Sequence, residues 1–180
     1  MNENPEGPPR RRSLRLRRYD YSRTGAYFIT ICTQGRVCLF GKISNGTMAL
    51  TDAGQMVQTT WDEMPSFYQG IDIDEFVVMP NHIHGIIVLD QATATGLSLP
   101  TVVQRLKTMT TKRYIDGVGS SGWRRFSKRL WQRDYFEHVI RNPESLDRIR
   151  RYILENPGRW MVDPDNPEAQ TPDRDNPWGP

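Results

Sequence analysis

The sequence predicts an α+β fold: a β-α-β-β-α-β core in the ferredoxin-like arrangement, with an antiparallel sheet and one additional helix at the C-terminal end. Three observations predict it. Strand-like runs rich in β-branched and aromatic residues alternate with two segments whose apolar residues recur at helical spacing. A third helical segment, after the last strand, carries start and stop signals at both ends. The run His82-Ile83-His84-Gly85-Ile86-Ile87-Val88-Leu89 is apolar on both faces, so it needs cover on both faces of the sheet. In the simple arrangement both core helices cover one face, and the additional helix is the cover available for the other.

Each element has its own warrant. Residues 27–32 are a strand by composition, 33–36 a turn, and 37–40 return as a short strand. Residues 51–64 are helical: Thr51 can cap, and Met56, Val57, Thr60, Trp61 and Met64 repeat at helical spacing. Residues 71–79 form the next strand, and Pro80-Asn81 turns into the histidine strand. Residues 99–114 form the second helix, with Val102, Val103, Leu106 and Met109 on one stripe. Gly117, Gly119 and Gly122 mark a loop, followed by strand-like segments at 130–132 and 138–140. In the last helix Asn142 is the N-cap, Pro143 takes the first position, Leu146, Ile149 and Ile153 form the stripe, and Asn156-Pro157-Gly158 ends it.

At 180 residues the chain suits one domain. Residues 1–22 read as a flexible basic arm, 23–162 as a single folded domain, and 163–180 as a disordered, acidic, Pro-rich tail. The net charge is +3, but it is clustered. Arg10, Arg11, Arg12, Arg15, Arg17 and Arg18 crowd the arm, and Lys112, Arg113, Arg124 and Arg125 belong to a second basic stretch. Clustered cations point to a polyanion, most often nucleic acid. Only two cysteines are present, Cys32 and Cys38, too few for a disulfide framework. No apolar run suits a membrane span and no signal peptide is legible, so the expected compartment is a reducing cytoplasm, at the nucleoid when bound to DNA, with both cysteines in the core.

His82 and His84 are two of three histidines, one residue apart on a strand, so their imidazoles aim at one point. Converging imidazoles are the start of a metal site. The helix covering that face would bring Tyr152 and Asn156, four residues apart and therefore neighbours at the rim of its stripe. Asn156 offers an amide oxygen to a hard divalent ion, and Tyr152 offers a phenol oxygen. That set suits phosphoryl transfer to DNA. A bound Mg²⁺ or Mn²⁺ polarises the phosphodiester and favours the phenolate, whose attack leaves a covalent phosphotyrosine.

The segment Met79-Pro80-Asn81-His82-Ile83-His84 resembles the His-hydrophobe-His motif of the single-tyrosine HUH transposases. Leu130-Trp131-Gln132 through Glu137-His138 to Arg141-Asn142 resembles the Trp-Gln…Glu-His…Arg-Asn segment of the REP-associated tyrosine transposase branch, and Tyr152-Ile153-Leu154-Glu155-Asn156-Pro157 resembles that branch's catalytic-helix ending. The resemblance runs from about Tyr19 to Trp160. It implies cleavage of single-stranded DNA near hairpin repeats through a 5′-phosphotyrosine with a free 3′-hydroxyl. By motif, His82, His84 and Asn156 are the metal ligands and Tyr152 the nucleophile. It also leans toward a monomer rather than a homodimer. The arm, the 117–122 loop and the tail match no motif of the family.

Other readings stay open on sequence grounds. Tyr19, Tyr114 and Tyr135 rival Tyr152. His138 could be a third histidine ligand, which would suit a zinc hydrolase, or could orient a neighbour or contact DNA. Glu137 could hold a ligand in place. A ferredoxin-like sheet also serves non-catalytic nucleic-acid-binding modules, which stack bases on an open sheet face.

Overall fold

Strand β1 (Gly25–Cys32) lies at the centre of a four-stranded antiparallel sheet, between β5 (His82–Leu89) and β6 (Phe136–Ile140), with β4 (Ile71–Val78) at the edge beyond β5. The structure is a computed structural model that describes residues 20–90, 92–93 and 96–169. The order β4-β5-β1-β6 is the ferredoxin-like arrangement, and the register places Cys32 opposite His82 and Thr30 opposite His84. Helices α1 (Asp52–Asp62) and α3 (Leu99–Ser120), with the short α2 (Met64–Phe67), cover one face. Tyr27, Ile29, Ile31, Ile83 and Ile87 point into that layer, with Val57, Trp61, Val102 and Leu106 opposite them. Helix α4 (Pro143–Glu155) covers the other face through Ile149 and Ile153, which pack on Phe28 and Ile86. The expected double cover of the histidine strand is what the fold provides.

The caps are those expected. The Thr51 hydroxyl accepts from the Gly54 N–H at 3.2 Å, and Asn142 Oδ1 accepts from the Ser145 N–H at 2.8 Å. Several element boundaries differ. Residues 37–40 are not a strand: the N–H groups of Leu39 and Phe40 both donate to the Pro80 carbonyl, at 2.9 and 3.1 Å, and are lost to any ladder. The hairpin comes later, as β2 (Gly41–Ser44) and β3 (Thr47–Leu50), turned by Asn45 and Gly46 with φ of 51° and 72°. An Asn-Gly pair is the strongest short hairpin signal, and it was there to be read. Helix α3 continues through Gly117 and Gly119 to Ser120, because the Trp123 ring occupies the space a side chain at 117 would fill. Residues 130–132 contribute only an isolated bridge from Trp131 to Thr33. Helix α4 ends at Glu155 with Asn156 as its C-cap, as expected, but the chain continues as a 3-10 turn, Asn156–Val162. The cysteines are not both core residues: Cys38 is exposed and Cys32 half-buried.

Gly85 permits the tightest packing in the sheet. Trp61 and Phe76 stack at 4.3 Å over it, and a Cβ there would lie 2.6 Å from Trp61 and 2.8 Å from Phe76. Both rings are rigid. Gly85→Ala is expected to destabilise the domain by about 1–3 kcal/mol, read as a lower denaturant midpoint with an unchanged m-value.

Candidate metal and nucleophile site

His82 and His84 open β5 with their rings toward α4, fully buried or nearly so. Their Nε2 atoms are 3.0 Å apart. Asn81 sets the tautomer of His82. Its amide Nδ2 donates to the carbonyls of Arg36 at 3.0 Å and Asp165 at 2.8 Å, so its Oδ1 faces His82 and accepts from Nδ1–H at 2.8 Å. His82 Nε2 therefore presents a lone pair. His84 Nδ1 lies 2.8 Å from the Thr30 hydroxyl, which can donate or accept. With Thr30 accepting, His84 Nε2 also presents a lone pair, and both face the same point. Burial holds both rings neutral: it pushes His84 down to about 3, and His82, which also feels His84, well below the ordinary histidine value. Neutral imidazoles are the ligand form.

Helix α4 delivers the phenol and the amide. The Tyr152 ring stands edge-on to His84 at 5.4 Å and to Phe28 at 6.1 Å. Burial, then the charge of Asp163, push its phenol up to about 12, while a hydrogen bond from the Asn156 side chain acts the other way. Asn156 is 2 % exposed and its Oδ1 has no hydrogen-bond partner among the described residues. A buried amide oxygen left unpaired is costly, and a cation is a natural acceptor of its lone pairs.

The 3-10 turn after α4 adds a group not foreseen. Trp160 lies against His82, with ring centroids 6.1 Å apart, and the chain then places the Asp163 carboxylate 3.7 Å from His82 Nε2. His82, His84 and Asp163 each offer a ligand atom within 4.8 Å of the others. Burial pushes Asp163 up to about 6. Residues from 163 were expected to be a disordered tail, yet Asp163 and Asn166 are buried, and Asn166 Nδ2 donates to the Trp160 carbonyl at 2.9 Å. The missed signal is the apolar Trp160-Met161-Val162 directly before the first acid. Two imidazoles and a carboxylate form a donor set that fits a divalent cation with mixed nitrogen and oxygen preference, and the unpartnered Asn156 oxygen is a further candidate ligand.

The profile of the family described as "Transposase IS200 like" matches residues 55–156, more than half of the chain. The chain belongs to this transposase family. The match spans the histidine pair, Tyr152 and Asn156. An uncharacterised protein of Haemophilus influenzae is 40 % identical over 164 residues, covering 85 % of this chain and 91 % of that one. A solved structure of a REP-associated tyrosine transposase bound to a REP hairpin is similar in fold, with a TM-score of 0.56 and 23 % identity over 81 % of this chain and 73 % of that one. As a family member, the protein has a transposition-type function on DNA.

Other residues singled out in the sequence lie elsewhere. Glu137 faces the opposite side of the sheet: it pairs with Ile29, whose side chain is in the α1–α3 core, so it does not support the histidines. His138 shares the site's face but pairs with Phe28, which pairs with Ile86, putting it two strands from β5 and one step further along the sheet. It is outside the cluster, and a His82–His84–His138 zinc site is not assembled. Arg113 ties α3 to α1 through Glu63 at 2.6 Å and Thr60 at 3.0 Å. Lys112, Arg124 and Arg125 are exposed, and Arg10 to Arg18 lie outside the described residues. No helix among the described residues is long and apolar enough to cross a membrane.

An ion pair holds α4 to the sheet edge. Arg150 donates to Asp74 through Nε at 2.8 Å and Nη2 at 2.6 Å, at the irregularity of β4 between Ile73 and Phe76. The Arg150 hydrogen bonds hold the Asp74 carboxyl below the usual range. Its contribution is therefore present above the ordinary aspartate value and lost as pH falls through the depressed one. Asp74→Asn is expected to lower the Tm at neutral pH, with the gap to the parent protein closing below about pH 4. Melting curves across pH 3–7 test this.

Proposed function

We propose that this transposase is a metal-dependent nicking and joining enzyme for single-stranded DNA, acting beside hairpin-forming repeats through Tyr152. The observation that carries the reading is that Tyr152 stands against His84 on one covered sheet face, where the Nε2 atoms of His82 and His84 meet, with the Asn156 side chain hydrogen-bonded to the Tyr152 phenol. Chemistry supports each role. The Tyr152 oxygen attacks phosphorus, the bond from phosphorus to O3′ breaks, a 5′-phosphotyrosine forms, and the leaving oxygen takes a proton to become a free 3′-hydroxyl. A second 3′-hydroxyl reverses the step, so joining needs no ATP. The phenol is protonated at rest, and Asn156, donating to its oxygen, favours the anion.

His82, His84 and Asn156 would hold the metal, with Asp163 available as a further ligand. When bound, Mg²⁺ or Mn²⁺ supplies Lewis-acid polarisation of the phosphodiester. The imidazoles favour Mn²⁺ over Mg²⁺. Hairpin substrates are supported by the fold shared with a protein solved on a REP hairpin. The non-catalytic alternative needs an open sheet face for stacked bases, whereas α4 covers one face and α1 and α3 the other.

The test is a covalent adduct. Incubated with a hairpin-bearing single-stranded oligonucleotide and Mn²⁺ or Mg²⁺, the protein should yield a species that survives denaturing electrophoresis and releases a 3′-hydroxyl fragment. A metal-independent nick, or cleavage without attachment, would overturn the reading.

A further inference from the structure

We infer that a basic groove between α3 and the 122–135 segment is the track for an unpaired DNA strand leading to the metal face. This rests on the strand-transfer reading above and states where the strand lies. The groove has a volume of about 870 Å³. Its lining includes apolar and aromatic side chains: Ile115, 54 % exposed, Phe126, held edge-on to Tyr114 at 5.6 Å, and Tyr135. It also includes Lys112, Lys128, Arg129 and Arg133 against the single acid Asp116. Among the described residues none of these four cations is in an ion pair. Lys107 is different: its ammonium is tied to the carbonyls of Gln132, Arg133 and Asp134 at 2.9, 3.0 and 3.3 Å, and so it shapes the wall.

A second groove of about 810 Å³ adjoins the first and shares Lys128, Arg129, Gln132 and Arg133 with it. It ends on the turn Gln34–Arg36. The Arg36 carbonyl accepts from Asn81, and Asn81 holds His82, so the track runs out beside the metal face. Lys128 and Arg36, on its two walls, have φ of 64° and 54°. Such left-handed backbone at non-glycine residues costs energy and clusters where ligands are clamped.

The occupant follows from this chemistry. A duplex hides its bases and offers phosphates, which a basic surface alone would serve. A lining that combines apolar and aromatic side chains with unpaired cations suits exposed bases and their phosphates together, which is how single strands are held.

The test uses the full chain, a fluorescein-labelled (dT)20 strand and a mixed-sequence 20-base-pair duplex. The double variant Arg129→Glu/Arg133→Glu should weaken (dT)20 binding at least tenfold in anisotropy titrations and flatten its salt dependence by about 1.4 in log–log slope, for two phosphates lost. Duplex binding should change less, and Lys42→Glu, on the exposed β2 hairpin, should change neither. An unaffected (dT)20 affinity, or an equal loss on the duplex or from Lys42→Glu, overturns the proposal. Photocrosslinking of the unaltered protein to a 5-iododeoxyuridine strand guards against misfolding of the variant. Crosslinks within 112–135 or 34–36 support the track, and crosslinks confined elsewhere overturn it. An adduct at Tyr152 without groove crosslinks overturns the groove alone. Groove crosslinks without an adduct support the groove and overturn the strand-transfer reading alone.

Discussion

Replacing Tyr152 by phenylalanine is expected to abolish the covalent protein–DNA adduct, a loss on the order of 10³-fold or more, while leaving DNA binding largely intact. The two effects separate because the ring and the hydroxyl do different work. The ring packs edge-on against Phe28 and His84, and phenylalanine keeps both contacts. In the proposed reaction the hydroxyl is the nucleophile, and phenylalanine has no oxygen with which to form the phosphoester. The Asn156 amide loses its phenol partner, which costs about 1 kcal/mol of stability, so the variant should stay folded. The rival tyrosines are distinguishable. Tyr114 is 1 % exposed and donates to the Arg124 carbonyl at 2.8 Å, so its oxygen is committed in the core. Tyr135 packs against the core on the opposite sheet face, and Tyr19 lies outside the described residues. Tyr114→Phe and Tyr135→Phe should both retain the adduct. Mapping the modified peptide by mass spectrometry checks the assignment directly, and an adduct that persists in Tyr152→Phe would sink it.

The placement of the candidate residues His82, His84, Tyr152 and Asn156 was legible because they sit on regular elements. Alternation along β5 put His82 and His84 on one face, and helical spacing put Tyr152 beside Asn156. A strand apolar on both faces needs cover on both, and that requirement brings α4 to the histidine face. Where periodicity is absent, reading failed. Asp163 follows a 3-10 turn, and its approach to His82 depends on Trp160 packing against that ring, a contact with no period to announce it. Glu137 looked like a partner for the histidines, but its place in β6 is out of phase with them, and the strand's start at Phe136 fixed which face it took. Gly117 and Gly119 read as a loop because glycine usually breaks helices. Gly117 is instead the gap that Trp123 fills. The basic stretch was recognised as a feature of charge, but only the fold shows which of its members share a groove.

The second large effect concerns the metal. His84→Ala is expected to reduce Mn²⁺ affinity by more than the ~10–100-fold that loss of an outer partner costs, and to abolish the adduct with it. Thr30→Val should fall within that ~10–100-fold range, because the ring stays but its orientation is no longer held through Nδ1 at 2.8 Å. Thr30→Ser should restore affinity, since it returns the hydroxyl. The ranking matters more than either value. A purely structural role for the pair would make Thr30→Val and His84→Ala differ in stability but not in metal binding, and titration calorimetry with Mn²⁺ on the folded variants separates the two. The same titration assigns the remaining ligand. Asn156→Ala removes the buried amide oxygen that has no hydrogen-bond partner among the described residues, and Asp163→Ala removes the carboxylate 3.7 Å from His82. A loss confined to Asn156→Ala would make Asp163 a neighbouring charge that raises the Tyr152 phenol, in which case Asp163→Ala should shift the pH dependence of adduct formation to lower pH. A loss in both would make the site four-coordinate from the protein alone, leaving DNA oxygens to complete a larger shell.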